Sequence, residues 1–294
     1  SSDVCSSDLV PGMFTEDFKD LESSGTLGFS GKAKGTFSDT QLPGFEASLQ
    51  VKDGQFKYPK LPQSVSNVNL DLFVQNQDGI MENTLVDLRN LHAELGKNPV
   101  DLKLRIENLK TFPVKADAAV RVNLAEVTSV FPVDGLTLRG NFGLKVTANG
   151  TYDSIKKTIP ALDALLTLDN GYAKSADYPF AADKISAQAS IKNTSGKMSE
   201  TSIDVSRFGM TLDGESFEAT LSVRDLLDYA WNLKARGSVD LEKVLKIFPI
   251  DGMALTGKVK ADISNSGKYS DLEAGRYQLL PASGNASLTR SEEH

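Results

Sequence analysis

The stretch from Leu136 to Tyr152, LTLRGNFGLKVTANGTY, alternates with period two. Leu136, Leu138, Phe142, Leu144, Val146 and Ala148 hold even positions, with Thr137, Arg139, Asn141, Lys145, Thr147 and Asn149 between them. Successive side chains of a strand point to opposite faces, so the pattern specifies a β-strand with one apolar face and one wet face. Unbroken, it would reach about 50 Å at ~3.4 Å per residue, far beyond the usual strand of about 5–6 residues. A bulge or bend near Gly140 or Gly143 is therefore expected.

The stretch returns. Met253, Leu255, Gly257, Val259, Ala261 and Ile263 repeat the row at a shift of 117 (253 less 136). Over the same shift VNLAEVTSVFPVDG (from Val122) matches VDLEKVLKIFPIDG (from Val239), VDLKLRI (from Val100) matches FEATLSV (from Phe217), and VNLDLFVQN (from Val68) matches ISAQASIKN (from Ile185). A weaker copy, LESSGTLGFSGKAKGTF, begins at Leu21, at a shift of 115. One β-rich unit is repeated. The expected organisation is a first, N-terminally incomplete repeat over 10–135, a second over 136–252, and the start of a third over 253–289.

The ends fit neither the repeat nor a strand pattern. SSDVCSSDL (1–9) and RSEEH (290–294) resemble translated sequencing-adapter read-through of the kind found in metagenomic sequence, and both are set aside from fold reasoning. That removes Cys5, the only cysteine. A cysteine-free β-protein suits an oxidising compartment such as the periplasm. A net charge of −7 without a basic stripe argues against a nucleic-acid partner, and apolar runs only a few residues long leave nothing to span a membrane as a helix.

Further strands are expected at Phe45–Pro59, with a kink at Asp53-Gly54, and at Val68–Val74, Val100–Ile106, Ala116–Val122, Ala164–Pro179 and Ser216–Val223. In NTLVDLRNLHAELG (Asn83–Gly96) the apolar parity changes at Arg89-Asn90, predicting a bulge there, with a cognate shift between Val205 and Phe208. Leu124–Pro132 and its copy Leu241–Pro249 read as short helices ended by proline. Leu226–Trp231 is expected to add a helical turn, with Trp231 packing at a strand start, and Ala282–Thr289 to open another strand pair.

The strong strands each carry an apolar face, and two short helices cannot cover them all. Either the faces meet each other in a sandwich or barrel, or they curl around something that is not protein. The parity in question contains Val68, Leu70 and Leu72; Val100, Leu102 and Leu104; Leu138, Phe142, Leu144 and Val146; and Leu255, Val259 and Ile263. Ordinary core and the floor of a binding surface share this pattern. An uncovered face of such size marks a binding surface, and long acyl chains match it because tails need no specific polar contacts.

DGQFKYPKLPQSVSNVNLDLFVQN (Asp53–Asn76), NTLVDLRNLHAELGKNPVDLKL (Asn83–Leu104) and VNLAEVTSVFPVDGLTLRG (Val122–Gly140) resemble the AsmA-like family of bacterial envelope proteins, in the form common in Bacteroidetes. The resemblance implies a mainly β fold: an elongated, curled antiparallel sheet, or repeating β-groove, with a few short helices. It implies a role in outer-membrane biogenesis, carrying phospholipid or other acyl-chain lipid along the groove between membranes. It also implies a periplasmic protein anchored to the inner membrane by an N-terminal helix absent from this stretch, with inner- and outer-membrane contacts made by parts outside it. The corner motif is degenerate in the second unit, SADYP for FKYPKLP. The other reading is a tandem β-sandwich of the adhesin or surface-array type. Against it, alternation crosses each unit boundary through a two-residue Asp-Gly turn without a linker.

No enzyme chemistry is visible. His92 is the only histidine inside the repeat and its counterpart is Gly209. No His/Cys/carboxylate cluster has metal-ligand spacing, and no nucleophile elbow, Ser/His/Asp set or phosphate loop occurs. Asp101 and Glu107 fall on the wet parity of their strand, as charges should, so neither a cofactor nor a metal is expected. Asn149-Gly150-Thr151 and Asn193-Thr194-Ser195 match a glycosylation sequon, a three-residue pattern common by chance.

Overall fold

Strand follows strand in space as in sequence. The computed structural model describes residues 22–36, 43–57, 64–130, 133–176, 178, 180–247 and 256–289. Strands β1 (Glu22–Lys34), β2 (Gly44–Lys57), β3 (Val65–Asn76), β4 (Leu85–Leu95), β5 (Asn98–Ile106) and β6 (Pro113–Asn123) lead into helix α1 (Leu124–Val130). Strands β7 (Leu136–Thr151), β8 (Ala161–Ser175), β9 (Ala182–Asn193), β10 (Ser202–Leu212), β11 (Glu215–Arg224) and β12 (Ala230–Asp240) lead into α2 (Leu241–Ile247). Strand β13 (Lys258–Lys268), α3 (Tyr269–Glu273) and β14 (Ala282–Thr289) follow. All 14 strands form one antiparallel sheet in the order β1 to β14. The fold is mainly β, with 70% of the described residues in strands, and the sheet is not closed into a barrel. Among the described residues every strand belongs to this one sheet.

The 117-residue spacing is visible in the elements: α1 and α2 begin at Leu124 and Leu241, and the 3-10 turns Met81–Asn83 and Met198–Glu200 keep the same offset. It extends to the bends. Asp53 (φ 50°) and Asn170 (φ 52°) precede Gly54 and Gly171, and the ladder slips between Val51 and Gly54 and between Leu168 and Gly171. Facing each bulge is a glycine in the left-handed region, Gly25 (φ 114°) and Gly140 (φ 122°). A Cβ on Gly140 would lie 2.8 Å from Gly171 Cα, so only glycine fits this crossing. The bend in β7 is accordingly at Gly140, where register shifts between Arg139 and Asn141, while Gly143 stays paired with Thr167. The shifts expected at Arg89-Asn90 and between Val205 and Phe208 are both present.

Helix α1 starts because the Asn123 carboxamide oxygen accepts the Ala125 and Glu126 N–H groups (3.0 and 3.2 Å), and Asp240 caps α2 in the same way at Glu242 and Lys243 (3.1 and 3.3 Å). The expected ends at Pro132 and Pro249 lie outside the described residues, as do residues 1–9 and 290–294. Leu226–Trp231 is not helical. Asp225 accepts the N–H groups of Leu227 (2.8 Å) and Asp228 (3.3 Å), an Asx turn that competes with helix, and β12 begins at Ala230. The sequence pattern also missed α3, too short to show periodicity.

Candidate functional site

The register lines the apolar residues up across the strands. Leu27, Val51, Leu70, Leu91, Leu102, Ala118, Val146, Ala164, Ile191, Ile203, Val223 and Trp231 are successive partners from β1 to β12. A second row runs Ala93, Val100, Val120, Leu144, Leu166, Ala189, Val205, Leu221 and Leu233 from β4 to β12. A third runs Phe29, Leu49, Leu72, Leu88, Leu104, Ala116, Ala148 and Leu162 from β1 to β8. Trp231 ends the first row, held by its indole N–H donating to Asn265 Oδ1 at 2.6 Å.

No second layer covers these rows among the described residues. The strands contact their sequence neighbours, and the helices pack against β6, β7, β12 and β13. Among the described residues only Val68, Leu95 and Leu212 are buried hydrophobics. Leu70, Leu72, Val100, Leu102, Leu104, Leu138, Phe142, Leu144, Val146 and Val259 are half-buried, and Ile263 is 38% exposed. Leu255 lies outside the described residues. The register joins Leu70, Leu102 and Val146 in one row, Val100 and Leu144 in the second, and Leu72 and Leu104 in the third. Phe142 sits between Val122 and Leu168, and Leu138 opposite Ala173. A depression of about 750 Å³ crosses β4 to β9, lined by Leu88, Leu104, Ala116, Ala148 and Leu162 with their charged sequence neighbours.

The opposite parity carries the ion pairs: Arg105 with Asp87 (3.1 Å), Arg207 with Asp169 (2.7 Å), Arg224 with Asp204 (2.8 Å) and Arg236 with Glu218 (3.0 Å). His92 belongs to this face, its Nδ1 at 2.7 Å from Asp101 Oδ1 and its Nε2 at 3.7 Å from Glu94. The hydrogen bond to Asp101 holds the imidazole pKa above its usual value, outweighing the opposing desolvation, and the charges of Asp101 and Glu94 add to it. A raised folded pKa stabilises the fold below the ordinary histidine range, a contribution lost as pH rises through the raised value. NMR titration should give a His92 pKa above 6.5, falling back toward it in Asp101→Asn; an unchanged value in that variant contradicts the pairing. Among the described residues no group of three or more His, Cys, Asp or Glu is placed to hold a metal, and no helix is long and apolar enough to cross a membrane.

Polar side chains that alternation could not find fix one edge of this surface. Asn76 donates to Ile80 O (2.6 Å) and Thr84 Oγ1 (2.9 Å) and accepts the Gly79 N–H (2.7 Å). Asn193 repeats this with Lys197 O (2.7 Å), Thr201 Oγ1 (2.7 Å) and the Gly196 N–H (2.6 Å). Both asparagines are almost fully buried, so the Asn193 sequon is not an acceptor in the folded chain. The signal was present as Asn-x-x-Gly with Thr eight residues after the Asn, twice at the repeat offset. No family model, curated protein or solved structure matches the chain.

Proposed function

We propose that this chain is a section of a periplasmic envelope protein that carries phospholipid acyl chains along its apolar face between membranes, in support of outer-membrane biogenesis. One observation carries the reading: apolar rows continue across as many as twelve strands of a sheet with no second protein layer over them among the described residues. A hydrocarbon tail along a row meets a new apolar side chain about every 4.8 Å. Each contact is individually replaceable, so such a floor accepts tails by burial rather than by specific polar groups. The resemblance of the quoted segments to the AsmA-like family supports the same assignment and supplies the membranes at either end.

The test uses the full-length parent gene in living cells, with a photoreactive amino acid at Leu144 or at Lys145. Phospholipid should attach at Leu144 and not at Lys145. Absence of lipid at Leu144, or equal capture at both, overturns the reading.

A further inference from the structure

The connections of the sheet alternate between two rims, and one rim repeats a set of exposed apolar tips. Phe112 and Tyr152 flank the paired ends of β6 and β7, with Ile155 on the following loop; they are 49%, 58% and 91% exposed. At the 117-residue offset stand Tyr229, Tyr269 and Leu272, 46%, 46% and 44% exposed. Tyr229 and Tyr269 meet edge to face with ring centroids 6.0 Å apart. At the opposite rim, among the described residues, the large exposed hydrophobic side chains are Val133 and, at the end of the edge strand β14, Leu288.

Both tips are held in place. Asp153 accepts the N–H groups of Ile155 and Lys156 (2.9 Å each), and Asp228 accepts the Ser270 N–H (2.8 Å) and hydroxyl (2.9 Å). Scattered exposed hydrophobics are ordinary, but the same aromatic–Tyr–aliphatic triplet exposed in two successive units is a built surface. Its surroundings differ in charge. Glu107, Lys110, Asp153, Lys156 and Lys157 sum to +1 around the first cap, whereas Arg224, Asp225, Asp228, Lys268, Asp271, Glu273 and Arg276 sum to −1 around the second. A partner bound by charge would be attracted to one cap and repelled by the other. One that accepts both must be electrically neutral while burying aliphatic tips and hydrating tyrosine hydroxyls.

We propose that these two caps dock the chain on the headgroup layer of a zwitterionic phospholipid surface. Tyrosine suits that layer because its ring is apolar and its tip is wet, and a shallow apolar contact of this kind binds reversibly. The caps lie six strands apart, about 29 Å along the rim, so each is a separate point of attachment. The docking does not depend on lipid seated on the apolar face.

The test is flotation of the full chain with pure phosphatidylcholine vesicles. The chain should float, and high salt should not release it. The pair Tyr152→Ser/Ile155→Ser and the pair Tyr269→Ser/Leu272→Ser should each lower the bound fraction on the order of tenfold, and the four together should abolish it, with circular dichroism unchanged. The cap variants should leave phospholipid capture at position 144 intact; capture falling together with flotation would mean that flotation reports the apolar face, overturning the proposal. It is equally overturned by wild-type chain that does not float, by flotation that needs anionic lipid and disappears in salt, or by cap variants that still float. Cap variants that instead turn a dimer into a monomer in sedimentation would assign the caps to a second copy of the chain.

Discussion

Leu144→Glu is expected to abolish phospholipid capture, while Lys145→Glu leaves it at the wild-type level. Leu144 is half-buried on β7 between Val120 and Leu166, in the middle of the second apolar row. A carboxylate there either stays ionised against hydrocarbon neighbours or takes up a proton, and both cost free energy. With the face uncovered, part of that cost is relieved by water in the empty protein, so the loss of stability should be only about 1–3 kcal/mol. The cost falls on acyl chains instead, because a seated tail would strip that water. Lys145 faces the other way, paired with Ala119 and Leu165, and a surface change of this kind stays within about 0.5 kcal/mol. Photo-crosslinking from position 166, next to Leu144, reads the difference. Leu144→Ser, polar but uncharged and smaller, should fold and capture weakly. Equal loss in the Leu144 and Lys145 variants would contradict the division of faces.

Asn193→Ala is expected to destabilise the fold by about 2–4 kcal/mol. Asn193 makes three side-chain hydrogen bonds and is 2% exposed. Alanine leaves the Gly196 N–H and the Lys197 carbonyl without this partner where water has little access, and each buried orphan costs roughly 1–3 kcal/mol. Lys197 and Gly196 also place the loop whose backbone ties to the neighbouring connection, through Met198 N to Lys157 O (3.1 Å) and Ile159 N to Gly196 O (2.9 Å). The damage should therefore spread to the β7–β8 connection. Urea unfolding gives the magnitude, and amide exchange at β8 to β10 gives the place. Asn76→Ala should behave alike, because its bracket is the same, whereas exposed Lys192→Ala should change little. A shift below about 0.5 kcal/mol for Asn193→Ala would show that solvent replaces the bracket.

Much of this architecture could be read without coordinates because it rests on local rules. Period-two alternation marks strands and sorts each residue to a face. Parity slips at Arg89-Asn90 and at Val205–Phe208 mark bulges, since one extra residue inverts every following side chain. The Asp53-Gly54 bend was legible for the same reason, and the 117-residue repeat carried each such feature to a second place. Leu226–Trp231 went wrong because its apolar run outweighed Asp225, whose side chain captures the N–H groups a helix would have used.

Strand identity, face polarity and repetition follow from neighbours in the chain, and those were settled by residue order. Whether the apolar face is core or open surface depends on what lies opposite it, and an identical alternation serves both. Cross-strand pairing turned Leu144 and its like from a parity class into a row, and the absence of a second layer over the described strands left that row uncovered. Burial joined Asn193 to Thr201, and the meander gathered Phe112, Tyr152 and Ile155 at one rim. These are contacts between segments apart in sequence, whose proximity no local periodicity encodes.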